Sequence, residues 1–266
     1  MKNRPQVLYL SHGGGPLPLL GDRDHKEMVS CLETIASKLV KPSVILVVSA
    51  HWEEKIPTVT SGSEPSLIYD YYGFPEESYS IQYPCKGEPI LAGKVHKALE
   101  DAGIKAALDN KRGFDHGLFV PLKIMYPNAD IPCIQLSLVN SLNPLEHIKI
   151  GRALQELEYD NLLVIGSGFS FHNMRAFFTP ETQKSKYQNE SFEQWLIETC
   201  SDQNISEEER TQRLIHWEEA PFARYCQPRE EHLLPLHVCY GLAASSCSEY
   251  FELTILNKRS SMYLWF

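Results

Sequence analysis

The chain has 266 residues, 43% of them hydrophobic, which is enough to bury a full core, and its length suits one large α/β unit better than two small ones. With 25 Lys and Arg against 34 Asp and Glu, the formal charge is −9, so the chain lacks the basic footprint that attracts phosphate backbones and anionic lipid surfaces. Nucleic acid and membrane are set aside as partners on that ground, and no apolar run approaches the roughly 20 residues needed to span a bilayer.

The N-terminal stretch has a short apolar run that soon meets Ser11 and His12, with no signal-peptide core or cleavage site. A β-branched run at 7–10 predicts a strand, and Met28, Val29, Leu32, Ile35, Ala36 and Leu39 recur at helical spacing over 24–40. Residues 44–50 read as a fully buried strand. A helix over 89–102 is stopped by Gly103, and another is expected over 117–126. Buried strands at 131–138 and 162–166 flank a helix opened by Asn143-Pro144. Residues 184–215 turn polar and helical, with Ser206 and Glu209 at capping-box spacing, and 235–244 form an apolar helix. The tail, 250–256 and 261–266, predicts a closing hairpin around Asn257-Lys258-Arg259. This β-α-β rhythm, unbroken by linkers or repeats, predicts a single α/β domain over 1–266. Its central sheet should be mostly parallel or mixed and flanked by helices. The seven cysteines form no C-x-x-C pair and are expected to be reduced and packed as small apolar residues. A soluble, cytoplasmic protein, monomeric or a small homo-oligomer, is the expectation.

In such folds ligands gather beyond the carboxyl ends of the strands. Three of the ten histidines stand there: His12 after 7–10, His51 after 44–50, and His172 shortly after 162–168. Their neighbours, Ser11-His12-Gly13-Gly14-Gly15-Pro16, Ser49-Ala50-His51-Trp52-Glu53 and Gly166-Ser167-Gly168 through His172-Asn173, allow close approach of backbone and ligand. A single histidine near a strand end is more often a capping or surface residue, but three such ends outweigh that reading. The glycine run lacks both P-loop and dinucleotide-binding spacing, so turn chemistry explains it better than phosphate binding. Two further histidines have distinctive settings. His116 opens a helix in Gly113-Phe114-Asp115-His116-Gly117, and His232 lies just before the helix that Pro235 begins, with His237 inside it. His25, His96, His147 and His216 read as solvated or internally satisfied.

Together with Tyr71-Tyr72-Gly73-Phe74-Pro75 and Glu231-His232-Leu233-Leu234-Pro235-Leu236, these motifs resemble the DOPA-dioxygenase family of class III extradiol ring-cleavage dioxygenases, in the family's order from residue 11 to about residue 245. The resemblance implies His12, His51 and His232 as metal ligands, His172 as the acid/base histidine and His116 as a further pocket histidine. Glu231 could complete a two-histidine-one-carboxylate set, as in related enzymes. The context favours His232, with Glu231 as a solvent-facing carboxylate at a helix start. Tyr72, Phe74, Gly14 and Ser167 are the expected substrate-binding residues.

The implied reaction inserts O2 into a catechol. Triplet oxygen reacts sluggishly with a closed-shell ring, so a redox-active metal is needed. Fe(II) on three protein ligands leaves positions for a bidentate catecholate and O2. Imidazole suits Zn(II) equally, so a purified sample could carry zinc without zinc being the working metal. The competing readings are a zinc-dependent hydrolase on the same three histidines and a non-catalytic metal-binding relative recruited to signalling.

Overall fold

Side chains alternate between two faces along each buried strand, so a central sheet with apolar residues on both faces needs helices on both sides. The computed structural model describes residues 5–266 and has that arrangement; the first four residues of the stretch read for a targeting segment lie outside the described ones. The strands are β1 (Gln6–Ser11), β2 (Val44–Glu54), β3 (Thr58–Thr60), β4 (Ala107–Asp109), β5 (Cys133–Val139), β6 (Leu162–Gly168), β7 (Glu249–Ile255) and β8 (Lys258–Trp265). They form one eight-stranded sheet in the order β4-β3-β5-β2-β6-β1-β8-β7. Its centre, β5-β2-β6-β1, is parallel, while β3 meets β5 and β8 meets β1 in antiparallel pairs.

The helices are α1 (Lys26–Lys38), α2 (Pro89–Asp101), α3 (His116–Met125), α4 (Pro144–Ala153), α5 (Met174–Phe177), α6 (Gln183–Ser201), α7 (Glu207–Ile215), α8 (Ala223–Cys226) and α9 (Leu234–Ala243). Val7, Val44, Leu46, Val164 and Leu136 pack with Leu91 and Val95 of α2, Ile148 of α4, Phe192 of α6 and Leu236 of α9. The opposite set, Leu8, Leu10, Ile45, Val47 and Ile165, packs with Met28, Leu32 and Ile35 of α1 and with Leu118, Phe119 and Leu122 of α3. Each such aliphatic side chain contributes roughly 1.5–3 kcal/mol by leaving water. Glycine permits the close seam between α4 and α9: a Cβ on Gly151 of α4 would stand 2.1 Å from the Val238 carbonyl oxygen of α9.

Several expectations shift in detail. The polar stretch 184–215 divides into α6 and α7, each with its own start. Ser206 Oγ accepts from Glu209 N without the reciprocal bond, and the full capping box belongs instead to Thr182 and Ser185. Strands β3 and β4 have three residues each, too few for periodicity to show. The hairpin turn is the pair Leu256-Asn257, with φ of 51° and 60°, so β8 begins at Lys258 rather than 261. A two-residue turn with both residues left-handed matches the twist of the strands it joins. All seven cysteines are free thiols, and among the described residues no helix is long and apolar enough to cross a membrane.

Candidate active site and metal centre

The carboxyl ends of β1, β2 and β6 lie side by side, because β6 runs between the other two. His12 follows β1 directly, and its backbone N–H donates to Gly168 O at 2.9 Å. His51 lies inside β2, where the register against β5 slips between Ser49 and Glu53; such a bulge re-aims a side chain. His172 stands four residues past the end of β6 and is held by its N–H to Cys226 O at 2.9 Å. His116 is the first residue of α3. His232 precedes α9, and its carbonyl oxygen accepts from Tyr9 Oη and Phe169 N, both at 3.0 Å.

These five imidazoles make one cluster. The ring centroids of His12, His51 and His232 are 4.8, 5.3 and 5.0 Å apart, a nearly equilateral triangle with rings inclined by 49°, 59° and 81°. His116 lies 3.9 Å from His51, and His172 stacks on His232 at 3.4 Å and 17°. Potential donor atoms of His12, His51 and His116 lie within 4.8 Å of one another, as do those of His172, Glu231 and His232.

Hydrogen bonds decide which nitrogen is free in His12, His116 and His232. Ser167 Oγ donates its only proton to Gly117 O at 2.5 Å, so it must accept from His12 Nδ1, 3.0 Å away. His12 Nε2 is therefore a lone pair. It faces His51 Nε2 at 3.0 Å, a contact that requires a proton or a cation between the two nitrogens. Metal–nitrogen bonds of about 2.1 Å set at right angles put two ligand nitrogens roughly 3.0 Å apart, so the spacing fits a shared metal. His232 Nδ1 is 3.0 Å from Glu231 Oε1, with His172 Nδ1 3.4 Å from the same oxygen. On the other side, His116 Nδ1 donates to Asp70 Oδ1 at 2.8 Å, and His51 Nδ1 lies 3.7 Å from Asp70 Oδ2.

Residues 6–261 match the family described as the catalytic LigB subunit of aromatic ring-opening dioxygenase. The chain belongs to this family. It is 38% identical over 254 residues to Dioxygenase tasH from Hapsidospora irregularis, covering 89% of this chain and 78% of that protein. It is 35% identical over 248 residues to a 4,5-DOPA dioxygenase extradiol from Beta vulgaris, covering 92% and 89% of the two chains. A crystal structure of an uncharacterized Escherichia coli K12 protein superposes with a TM-score of 0.78 at 27% identity, over 99% of this chain and 100% of that one.

The electrostatics suit an aromatic ring-opening dioxygenase with a histidine-rich metal site. Burial holds the His12 and His51 imidazoles well below their ordinary range, and neighbouring histidines push them further down. Burial and then His172 lower His232 to about 3 against the opposing Glu231 carboxylate. Neutral imidazole is the metal-binding form, so desolvation keeps the donors ready. Burial alone would raise Asp70 and Glu231, but hydrogen bonds from the histidines outweigh it and both carboxyls are lowered. Asp115 is fully buried, takes bonds from Ser49 Oγ at 2.8 Å and Arg112 Nη2 at 3.0 Å, and is raised by burial.

The remaining site residues of this dioxygenase are placed less uniformly. Glu231 is 9% exposed and faces two histidines, so the solvent-facing role expected for it is replaced; neighbouring imidazole donors, not a helix start, determine its position. Ser167 is fully buried behind His12 with both hydroxyl bonds used inside the protein, and Tyr72 is 90% exposed. The tyrosine that meets the cluster is Tyr71, 5.7 Å from the His116 ring. Phe74 stands beside Tyr71, and its ring closes over Gly15, where a Cβ would lie 3.2 Å away. Gly14 N donates to His25 Nε2 at 2.9 Å, which makes His25 a buried brace for the glycine loop. His147 is satisfied by Asn143 O and Val139 N, and His237 lies between the carbonyls of Leu233 and Leu214. Asp70 carried no expectation, although it directly precedes the Tyr71–Pro75 motif; an acceptor near a histidine-rich pocket was the available signal.

Proposed function

We propose that this protein is an extradiol dioxygenase that opens a catechol-type, DOPA-like ring at a mononuclear non-haem Fe(II) centre held by Nε2 of His12, His51 and His232. The carrying observation is the triangle of those three imidazoles, each 4.8–5.3 Å from the next. Three ligands on one face of a cation leave the opposite face for a bidentate catecholate and O2. The name of the Beta vulgaris relative, 4,5-DOPA dioxygenase extradiol, supports the substrate class. Bound Fe(II) would supply the redox-active, Lewis-acidic centre that lets O2 react with an aromatic ring.

The chain's own residues bind, orient and move protons. His172 lies flat against His232 with its Nδ1 toward Glu231, which leaves Nε2 to take a proton from a substrate hydroxyl and return it later. Such transfer contributes ~10²–10⁴-fold. His116, anchored on Asp70, offers Nε2 as a hydrogen-bond partner for substrate or ring-opened product. Tyr71 and Phe74 form the aromatic wall beside His116.

The test is anaerobic Fe(II) reconstitution followed by a catechol panel, reading O2 uptake and product absorbance. The expected result is stoichiometric O2 consumption with a DOPA-like catechol and none with the Zn(II)-loaded protein. His172→Ala should keep metal and lose ~10²–10⁴-fold in turnover, and His232→Ala should lose metal. One competing ligand set has geometric support, because donor atoms of His12, His51 and His116 also lie within 4.8 Å. Retention of metal by His232→Ala with its loss in His116→Ala would install that set instead.

A further inference from the structure

The loop carboxylate Asp70 touches more of the centre than any histidine needs for itself. Its Oδ1 accepts from both His116 Nδ1 at 2.8 Å and His116 N at 3.0 Å, and its Oδ2 lies 3.7 Å from His51 Nδ1. The backbone contact has a local cause. Asp115 occupies the N-cap position of α3, but its side chain makes no capping bond and points instead to Ser49 and Arg112. The free amide at the helix start is therefore satisfied from outside, by a carboxylate 46 residues earlier in the chain. The same carboxylate then reaches across to β2.

We propose that Asp70 is a positioning residue that fixes His116 through one oxygen and His51 through the other, so that His51 Nε2 stays turned to His12 Nε2 and His116 Nε2 stays free of the carboxylate. Glu231 makes a related contact through a single oxygen, Oε1, which lies 3.0 Å from His232 Nδ1 and 3.4 Å from His172 Nδ1. Each carboxylate thus joins one metal-ligand candidate to one pocket histidine. The separation of 3.7 Å at His51 exceeds a direct hydrogen bond, so the charge acts there across the gap or through one bridging water. An anionic oxygen on that side favours the tautomer with the proton on Nδ1 and the lone pair on Nε2.

The two oxygens can be separated by substitution. Asp70→Asn keeps one acceptor, which serves His116, and turns a donor toward His51, where it opposes an Nδ1 proton. Asp70→Ala removes both. The inference rests on the metal-centre reading above, so the test includes a measurement that does not depend on metal. Histidine-labelled ¹⁵N NMR of the full-length protein, with and without Zn(II), reads the tautomers, and chelator competition reads Zn(II) affinity. The expected pattern is His116 protonated on Nδ1 in both states of the parent, and His51 protonated on Nδ1 once Zn(II) is bound. D70N should bind Zn(II) about 10–100-fold more weakly while His116 keeps its tautomer. D70A should lose both features, with unchanged far-UV circular dichroism.

Parental His116 protonated on Nε2 overturns the proposal without any variant. D70N binding Zn(II) within twofold of the parent overturns the His51 half, and Asp70→Ser, which keeps one acceptor, replaces D70N if that variant does not fold. A parent that binds no divalent metal would sink the metal-centre reading while the His116 tautomer still decides for or against Asp70.

Discussion

Gly168→Ala displaces the backbone that carries His232 without changing any side chain of the histidine cluster. A Cβ built on Gly168, the last residue of β6, would lie 2.0 Å from the His232 carbonyl oxygen. Real Cβ atoms stay beyond 3.0 Å, so the two backbones must part by at least about 1 Å. That carbonyl is clamped by Tyr9 Oη and Phe169 N, both at 3.0 Å, so the displacement is transmitted to the imidazole instead of being absorbed by a loose loop. Overpacking of this kind costs about 1–3 kcal/mol, which a fold of ordinary stability survives. A misplacement of about 1 Å near reacting groups costs on the order of 10²-fold in rate. The expected outcome is a folded protein with a lowered Tm, weakened Fe(II) binding by chelator competition, and kcat/KM for a catechol down about 10²-fold by O2 uptake. If the folded variant keeps metal affinity and kcat/KM within about threefold of the parent, His232 is not held by this seam and its part in the centre needs replacing.

Ser167→Ala removes the acceptor that fixes the His12 tautomer and should weaken divalent-metal binding about 10-fold while the fold is unchanged; equal affinity by chelator competition would disprove that role. Glu193 tests the buried polar layer behind the sheet, where burial raises its carboxyl from 4.5 to about 7 against a bond from Ser261 Oγ at 2.7 Å. The folded chain holds this proton more tightly than the unfolded one, so the contribution is fully present below pH 4.5 and is lost as pH rises through about 7. The displacement corresponds to about 3 kcal/mol, and Glu193→Gln, which cannot ionise, should lack it. Urea unfolding at pH 4.5 and pH 8 should show the parent losing about 3 kcal/mol relative to the variant; parallel pH curves would rule the buried carboxyl out.

The long apolar elements were legible because their signals are local. Residues 44–50 and 162–166 read as buried strands, and the 3.6-residue recurrence of Met28, Leu32 and Ile35 announced α1. The strand-end rule also brought out His12, and it brought out His51 although β2 runs on to Glu54 instead of stopping before it; the fold sets the two rings beside one another. What was not legible depends on partners distant in sequence. Nothing near Glu231 indicates that His172, from another strand end, will lie 3.4 Å away and draw it inward. Nothing near Asp70 shows that α3 lacks a capping side chain of its own. In the Tyr71-Tyr72 pair, composition could not tell which ring turns in; the fold buries Tyr71 and leaves Tyr72 90% exposed.

The parts of the centre differ in how firmly the fold holds them, and that difference bears on specificity. His12 and His51 are carried by β1 and β2 in the parallel core, and His232 by a backbone clamp onto β6, so their relative positions follow from sheet geometry. Residues on rigid elements keep metal geometry within narrow limits. Tyr71 and Phe74 come from the irregular connection between β3 and α2, and the segment after His172 ends in Met174 and Phe178, exposed by 54% and 83%. Such connections tolerate sequence change far better than a strand end does. The sheet can therefore keep one ring-opening chemistry while the connections around it vary in sequence. A level of 35% identity to a DOPA dioxygenase fixes the class of reaction in this chain, aromatic ring opening, more firmly than the ring it acts on.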